Sequence, residues 1–177
     1  MRIVLCGLNA RYTHTNLAIR SLSAYGRAHG QSNIEWIWRE WTINDHLLPL
    51  LSRLNEEEAD VYAFSCYIWN RSLVASLSRE LKKIRPHAIL IWGGPEAGTQ
   101  PLALLMKYAF IDFILCGEGE QSLTSLAGIL ASDLQPKDEL LASVPGLAYR
   151  TKENQVRVNE PPLLLDGSEW PFPYEPT

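Results

Sequence analysis

The chain has 177 residues, a net charge of −4, 46% hydrophobic residues and 20% charged residues. That length fits one compact domain plus an appendage, and the apolar share can fill a sizeable core. An acidic balance without a dense Lys/Arg run argues against a nucleic-acid surface, and no apolar stretch approaches membrane-spanning length.

Met1 leads through Arg2 straight into an apolar run with no signal peptide, which predicts a cytoplasmic protein. The first strand, Arg2 to Leu8, ends at Gly7-Leu8-Asn9. Asn16 can cap a helix reaching about Ala28, with Leu17, Ser21, Ala24, Tyr25 and Ala28 on one face and Gly30 ending it. The second strand, Ile34 to Trp41, alternates only partly and admits charges, which suits a sheet edge. Its Trp36, Trp38 and Trp41 are expected to pack on the second helix or on a partner domain. That helix covers about His46 to Glu58, with Pro49 in its first turn.

The third strand, Val61 to Ser65, stops at Ser65-Cys66-Tyr67. A helix from about Asn70 to Ile84 turns Leu73, Leu77, Leu81 and Ile84 inward, and Pro86 stops it. The fourth strand, Ala88 to Trp92, runs into Gly93-Gly94-Pro95-Glu96. A helix from Thr99 to about Tyr108 follows, then a fifth strand, Asp112 to Cys116, and Gly117-Glu118-Gly119-Glu120. The last helix runs from Glu120 to Leu130, with Leu123, Leu126 and Leu130 inward.

Strands that are continuous apolar runs, separated by helices, describe a parallel sheet covered on both faces. The chain is therefore read as α/β: a doubly wound, flavodoxin-like or Rossmann-like sheet of five parallel strands in the order 2-1-3-4-5. Ligands in such sheets bind beyond the carboxyl ends of the strands, where these glycines fall. Residues 1–135 form this domain and residues 136–160 an extension. Within the extension, Gly146–Arg150 and Gln155–Val158 make a β-hairpin. The proline-rich stretch 161–177 reads as an extended linker.

Three cysteines, Cys6, Cys66 and Cys116, form neither an even set nor a C-x-x-C pair, so they read as small buried hydrophobes. Cys66 alone sits in a loop that should face a ligand. His29, His46 and His87 fall at element edges, as surface or capping residues.

Each tenant of this fold needs its own chemistry at the strand ends. A dinucleotide site needs G-x-G-x-x-G after the first strand, and Gly7-Leu8-Asn9-Ala10-Arg11-Tyr12 has one glycine. A phospho-receiver needs acidic residues where Asn9 and Ser65 stand. A flavodoxin-type FMN site cradles phosphate in a hydroxyl-rich loop. Arg11-Tyr12-Thr13-His14-Thr15-Asn16 meets that requirement without a glycine, so an FMN-binding electron-transfer domain stays open. So does a vestigial α/β interaction domain.

Ser65-Cys66-Tyr67, Gly93-Gly94-Pro95-Glu96, Gly117-Glu118-Gly119-Glu120, the hairpin opening Val144–Arg150 and the tail Trp170–Tyr174 together resemble the N-terminal cobalamin-binding domain of radical S-adenosylmethionine (SAM) enzymes. The resemblance covers nearly the whole chain. It implies a corrinoid at the strand ends with its benzimidazole base off the cobalt and inserted beside the sheet. A flat apolar base hiding roughly 100–200 Å² would gain about 2.5–5 kcal/mol.

On this resemblance Ser65 faces the base, Gly93 and Gly94 let the nucleotide arm pass, and Glu118 and Gly119 close the far side with Gly117. Valine at Gly94 is accordingly expected to block uptake without loss of stability. Asn9, Ala10, Tyr12, Thr15, Asn16, Cys66, Tyr67, Trp69, Pro95 and Glu96 complete the expected cofactor shell. His14 stands where related cobalamin proteins carry D-x-H-x-x-G, whose histidine ligates cobalt. The aspartate and glycine are missing here, and members without the ligand leave that face to water or a loop residue, such as Tyr12 or Asn9. No C-x-x-x-C-x-x-C cluster motif is present, so this stretch does not itself cleave SAM. The resemblance places SAM, an iron–sulfur cluster and a radical barrel, together forming a methyltransferase, C-terminal to it.

Overall fold

In a computed structural model that describes residues 1–162, 164, 166 and 170–174, the apolar runs form one seven-stranded sheet. β1 (Arg2–Asn9), β2 (Glu35–Thr42), β3 (Val61–Ser65), β4 (Ile89–Gly93) and β5 (Phe113–Leu115) run parallel. β6 (Leu147–Arg150) and β7 (Val156–Val158) complete the order β2-β1-β3-β4-β5-β6-β7. The expected 2-1-3-4-5 core is there, with the order of strand addition reversing between β1 and β3 while the strands stay parallel. The hairpin is no separate appendage: β6 pairs antiparallel with β5, so the sheet continues through it. Pairing of this kind satisfies the backbone groups that β5 would otherwise leave as a bare edge.

Alternate residues of each strand enter opposite layers. Val4, Cys6, Leu8, Tyr62, Phe64, Leu90 and Trp92 pack with α2 (Leu47–Glu56), α3 (Arg71–Ile84) and α5 (Pro101–Lys107). Ile3, Leu5, Val61, Ala63, Ile89, Ile91 and Leu115 pack with α1 (Leu17–His29) and α6 (Glu120–Ser132). The second layer carries the site.

Several local readings shift once the layers assemble. α1 buries Ile19, Ser21, Ser23, Tyr25 and Gly26, while Leu17 is exposed. The face is set by Trp36, whose ring lies so close to Gly26 that a Cβ there would come within 2.4 Å of it. Trp36 thus packs on the first helix and not the second. α3 turns Val74, Leu77, Ser78 and Leu81 inward and leaves Ile84 outside. Ser78 is admitted because its hydroxyl accepts the buried Trp92 indole N–H at 2.9 Å. The helix expected from Thr99 to about Tyr108 forms as α5, and an unexpected short helix, α4 (Pro95–Gly98), precedes it; each is opened by a proline, which lacks the N–H that one continuous helix would use. A further short helix, α7 (Asp138–Leu141), precedes the hairpin.

The described part of the 161–177 stretch has neither helix nor strand. Residues 163, 165, 167–169 and 175–177 of the expected linker lie outside the described residues. Pro162 sits against Gly117 and Gly146, and Pro171–Tyr174 lie over α1 and Trp38, with Arg20 between the Trp38 and Tyr174 rings.

Candidate cofactor-binding site

Register brings Gly7, Ser65 and Gly93 into one row across the carboxyl ends of β1, β3 and β4. Residues in one row share a face, here the face under α1 and α6. A slot of about 240 Å³ opens there. Ala63 and Ile91 form its floor, Ser65 and Gly93 its rim, Ile19 and Leu22 one wall, and Leu115 and Leu123 the other. Complete ligand pockets run about 300–1,000 Å³, so this slot suits a flat part of a ligand and not a whole macrocycle.

Gly93 is what keeps the slot open, since a Cβ there would meet nothing nearer than Leu115, at 3.9 Å. Gly94 lines the slot too, but for a different reason. Its φ of +91° is a left-handed conformation, and a Cβ would fall 2.7 Å from the Cys66 carbonyl oxygen. The expectation that valine at 94 would spare stability is therefore corrected: that glycine is required by the backbone, and Gly93 is the one that leaves room.

The β1–α1 loop is built differently. Asn9 Nδ2 donates to the His14 carbonyl (2.8 Å) and to Glu40 Oε2 (2.9 Å). The Asn16 backbone N–H donates to the same Glu40 oxygen (3.1 Å), and Arg20 Nε donates to Oε1 (2.8 Å). Asn16 caps α1 as expected, its Oδ1 accepting from the Ile19 N–H, while its Nδ2 donates to Ser65 Oγ at 3.2 Å. One carboxylate on the edge strand thus brackets both ends of the loop.

Of the residues expected around the cofactor, Ser65, Tyr67, Gly93, Gly94, Pro95, Gly117, Glu118 and Gly119 line the slot. Asn9 and Asn16 are buried behind it in the Glu40 bracket, where the Asn9 amide donates to the loop and to Glu40. Ala10, Tyr12, His14 and Thr15 lie on the loop beyond the sheet, with Tyr12, His14 and Thr15 exposed. No hydrogen bond fixes the His14 ring among the described residues. Cys66 points into the opposite layer and is fully buried, which takes its side chain away from the slot. Trp69 stacks on Tyr67 with ring centroids 4.6 Å apart, outside the slot. Glu96 pairs with Arg71 and does not line the slot.

Burial pushes the Cys66 thiol up to about 12, with the Glu96 charge adding to it, and raises Cys6 and Cys116 as well. None is a ready thiolate, in keeping with their reading as small hydrophobes. Burial also raises the Glu120 carboxyl, helped by the neighbouring Glu118 charge.

A family model described as a B12 binding domain matches residues 3–127, which include every slot residue named except Trp170 of the tail. The chain belongs to the B12-binding domain family. This B12-binding domain is 31% identical over 120 residues to the cobalamin-dependent radical SAM methyltransferase TokK of Streptomyces tokunonensis, covering 66% of the chain and 17% of TokK. It is 25% identical over 147 residues to an uncharacterized methyltransferase of Pyrococcus horikoshii, covering 82% of the chain and 30% of that protein. The chain spans less than a third of the length of the curated relatives it matches.

Among solved structures, the cobalamin-dependent SAM radical enzyme OxsB, with aqua-cobalamin and SAM bound, superposes at a TM-score of 0.78 and 18% identity. That match covers 96% of the chain and 23% of OxsB. TsrM from Kitasatospora setae, a radical SAM methyltransferase with cobalamin and an iron–sulfur cluster bound, superposes at 0.64 and 20% identity, covering 99% and 31%. These likenesses show the fold.

The residues present fit a cobalamin nucleotide arm: an apolar floor, a hydroxyl at the rim, and a glycine whose missing side chain would otherwise fill the space. Among the described residues, no group of three or more His, Cys, Asp or Glu is placed to hold a metal ion. Sequence reasoning missed Ala18, Ile19, Leu22, Leu123, Glu120 and Trp170 as slot walls, and Glu40 as the bracket. Most of these walls come from helix faces, which local pattern marks only as apolar, while Trp170 comes from the tail. Glu40 registered merely as a charge on an edge strand.

Proposed function

We propose that this domain is the cobalamin module of a radical SAM methyltransferase, holding the cofactor with its base off the cobalt. The observation that carries the reading is the Gly93 opening over an apolar floor, beside a buried serine. Bound there, cobalamin supplies a cobalt that carries a methyl group. The chain's own part is to take the base into the slot, orient the corrin over the strand ends, and exclude water from the arm. Pro162 at Gly117 and Trp170 at the slot support a tail that helps to close it.

A radical SAM barrel, with its SAM and cluster, belongs in this reading to the portion of the relatives' length that the chain does not span. The exposed, unfixed ring of His14 supports a lower cobalt face without a histidine ligand, since a ligating imidazole is ordinarily held by an acceptor on its second nitrogen. Three free cysteines suit a reducing, cytoplasmic compartment. No helix among the described residues is long and apolar enough to cross a membrane.

The test is to titrate the domain with hydroxocobalamin and, separately, with FMN. A base-off absorption spectrum at stoichiometric uptake is expected. Retention of FMN and no cobalamin would overturn the reading in favour of a flavin domain, and binding of neither would favour an interaction domain.

A further inference from the structure

We infer that Asn16 is a positioning residue that sets Ser65 as a hydrogen-bond donor into the slot, and so selects a ligand carrying a bare ring nitrogen. The inference rests on the cobalamin reading above.

The argument is one of hydrogen-bond direction. A primary amide has one accepting and one donating end. The Asn16 oxygen is committed to the Ile19 N–H as the cap of α1, and a backbone N–H can only donate. The Asn16 amine must therefore face the other way, where it meets Ser65 Oγ at 3.2 Å. Gly7 permits the approach: it stands beside Ser65 in the row, and a Cβ on it would come within 2.9 Å of the same amine. Glu40 holds the Asn16 backbone from behind, and Arg20 holds Glu40.

Both Asn16 and Ser65 are buried, at 6% and 7% exposure, so water does not scramble the arrangement. A hydroxyl has one proton and two acceptor sites. With an acceptor site of Ser65 taken by Asn16, the proton is left to the slot that the serine lines. A donor on the rim of an apolar slot favours a flat aromatic base presenting an unprotonated nitrogen. It offers nothing to a corrinoid without a base.

The experiment compares affinity for hydroxocobalamin with affinity for cobinamide, the corrinoid lacking the nucleotide base, in wild type and in Asn16→Asp. Aspartate caps a helix about as well as asparagine. Its second oxygen, however, can only accept, so it draws the Ser65 proton away from the slot. Losing the ligand hydrogen bond and facing the base nitrogen with an acceptor is expected to weaken cobalamin binding about tenfold. Cobinamide binding should stay unchanged.

A merely structural role would move both affinities together. Should the aspartate variant melt at the assay temperature, Ser65→Ala serves instead, with the same selective loss expected. A full cobalamin preference retained in either variant overturns the inference and leaves the slot reading standing. A wild-type domain that binds both corrinoids equally overturns both.

Discussion

Gly7 and Gly93 stand in the same row of the sheet, on either side of Ser65, and do opposite things. The space above Gly7 is filled by Asn16 and Ile19, each 2.9 Å from where a Cβ would be. The space above Gly93 holds no side chain, and the slot opens there. The β1 end of the sheet is thus a bracket of hydrogen bonds around a loop, and the β4 end is a gap between helices. A glycine admits a neighbour or a ligand according to what the rest of the fold brings to it.

The largest effect that would sharpen this contrast lies one residue along, at Gly94. Valine there must adopt a left-handed φ and overlap the Cys66 carbonyl, at a cost of about 2–4 kcal/mol, read as a large drop in denaturation midpoint. A midpoint equal to wild type would show that the loop has slack. Gly93→Leu should do the reverse. Thermal stability stays near wild type while cobalamin affinity falls about a hundredfold, some 2.7 kcal/mol, because the side chain occupies the slot. Unimpaired titration of that variant would place the ligand elsewhere.

Gly7→Ala tests the bracket. Displacing Asn16 should cost about 1–2 kcal/mol, the worth of a helix cap with its attached bonds, and Gly93→Ala should cost far less. Equal costs for the two alanines would break the comparison outright.

A smaller effect is expected from Glu120→Gln at the slot wall. The native carboxyl is raised by burial above its ordinary 4.5. Below that value it is protonated in both folded and unfolded chains and contributes no difference. As pH climbs past it, the unfolded chain ionises first, so the native protein loses stability that the glutamine variant keeps. Melting curves should therefore coincide near pH 4 and separate toward neutrality, the variant melting higher. The opposite order would show that the charge is welcomed at the start of α6. Last, His14→Ala should leave the electron paramagnetic spectrum of the Co(II) form unchanged. Loss of a nitrogen splitting on mutation would prove a ligand that the bracket description omits.

Much of the site's outline was legible beforehand. Ser65, Gly93 and Gly94, Gly117 to Gly119 and the Asn16 cap were all marked by strand ends and cap chemistry, which are local signals. The error at Gly94 has a plain cause: two adjacent glycines look alike in sequence, and only the path of the backbone tells conformation from clearance. Glu40 was hidden because its partners Asn9 and Asn16 lie more than twenty residues away and belong to another strand's loop. The hairpin was found, but its docking on β5 was not, since no pattern within a hairpin says which edge it will join.

The order of apolar runs, their lengths and their glycine endings determined a doubly wound sheet with a site at its carboxyl edge, because hydrophobic period and backbone permissiveness are properties of neighbouring residues. Which helix face turned inward, which glycine was filled and which carboxylate bracketed the first loop were decided only in three dimensions. Those outcomes depend on contacts between segments far apart in the chain, and a hydrogen bond takes its direction from both partners at once.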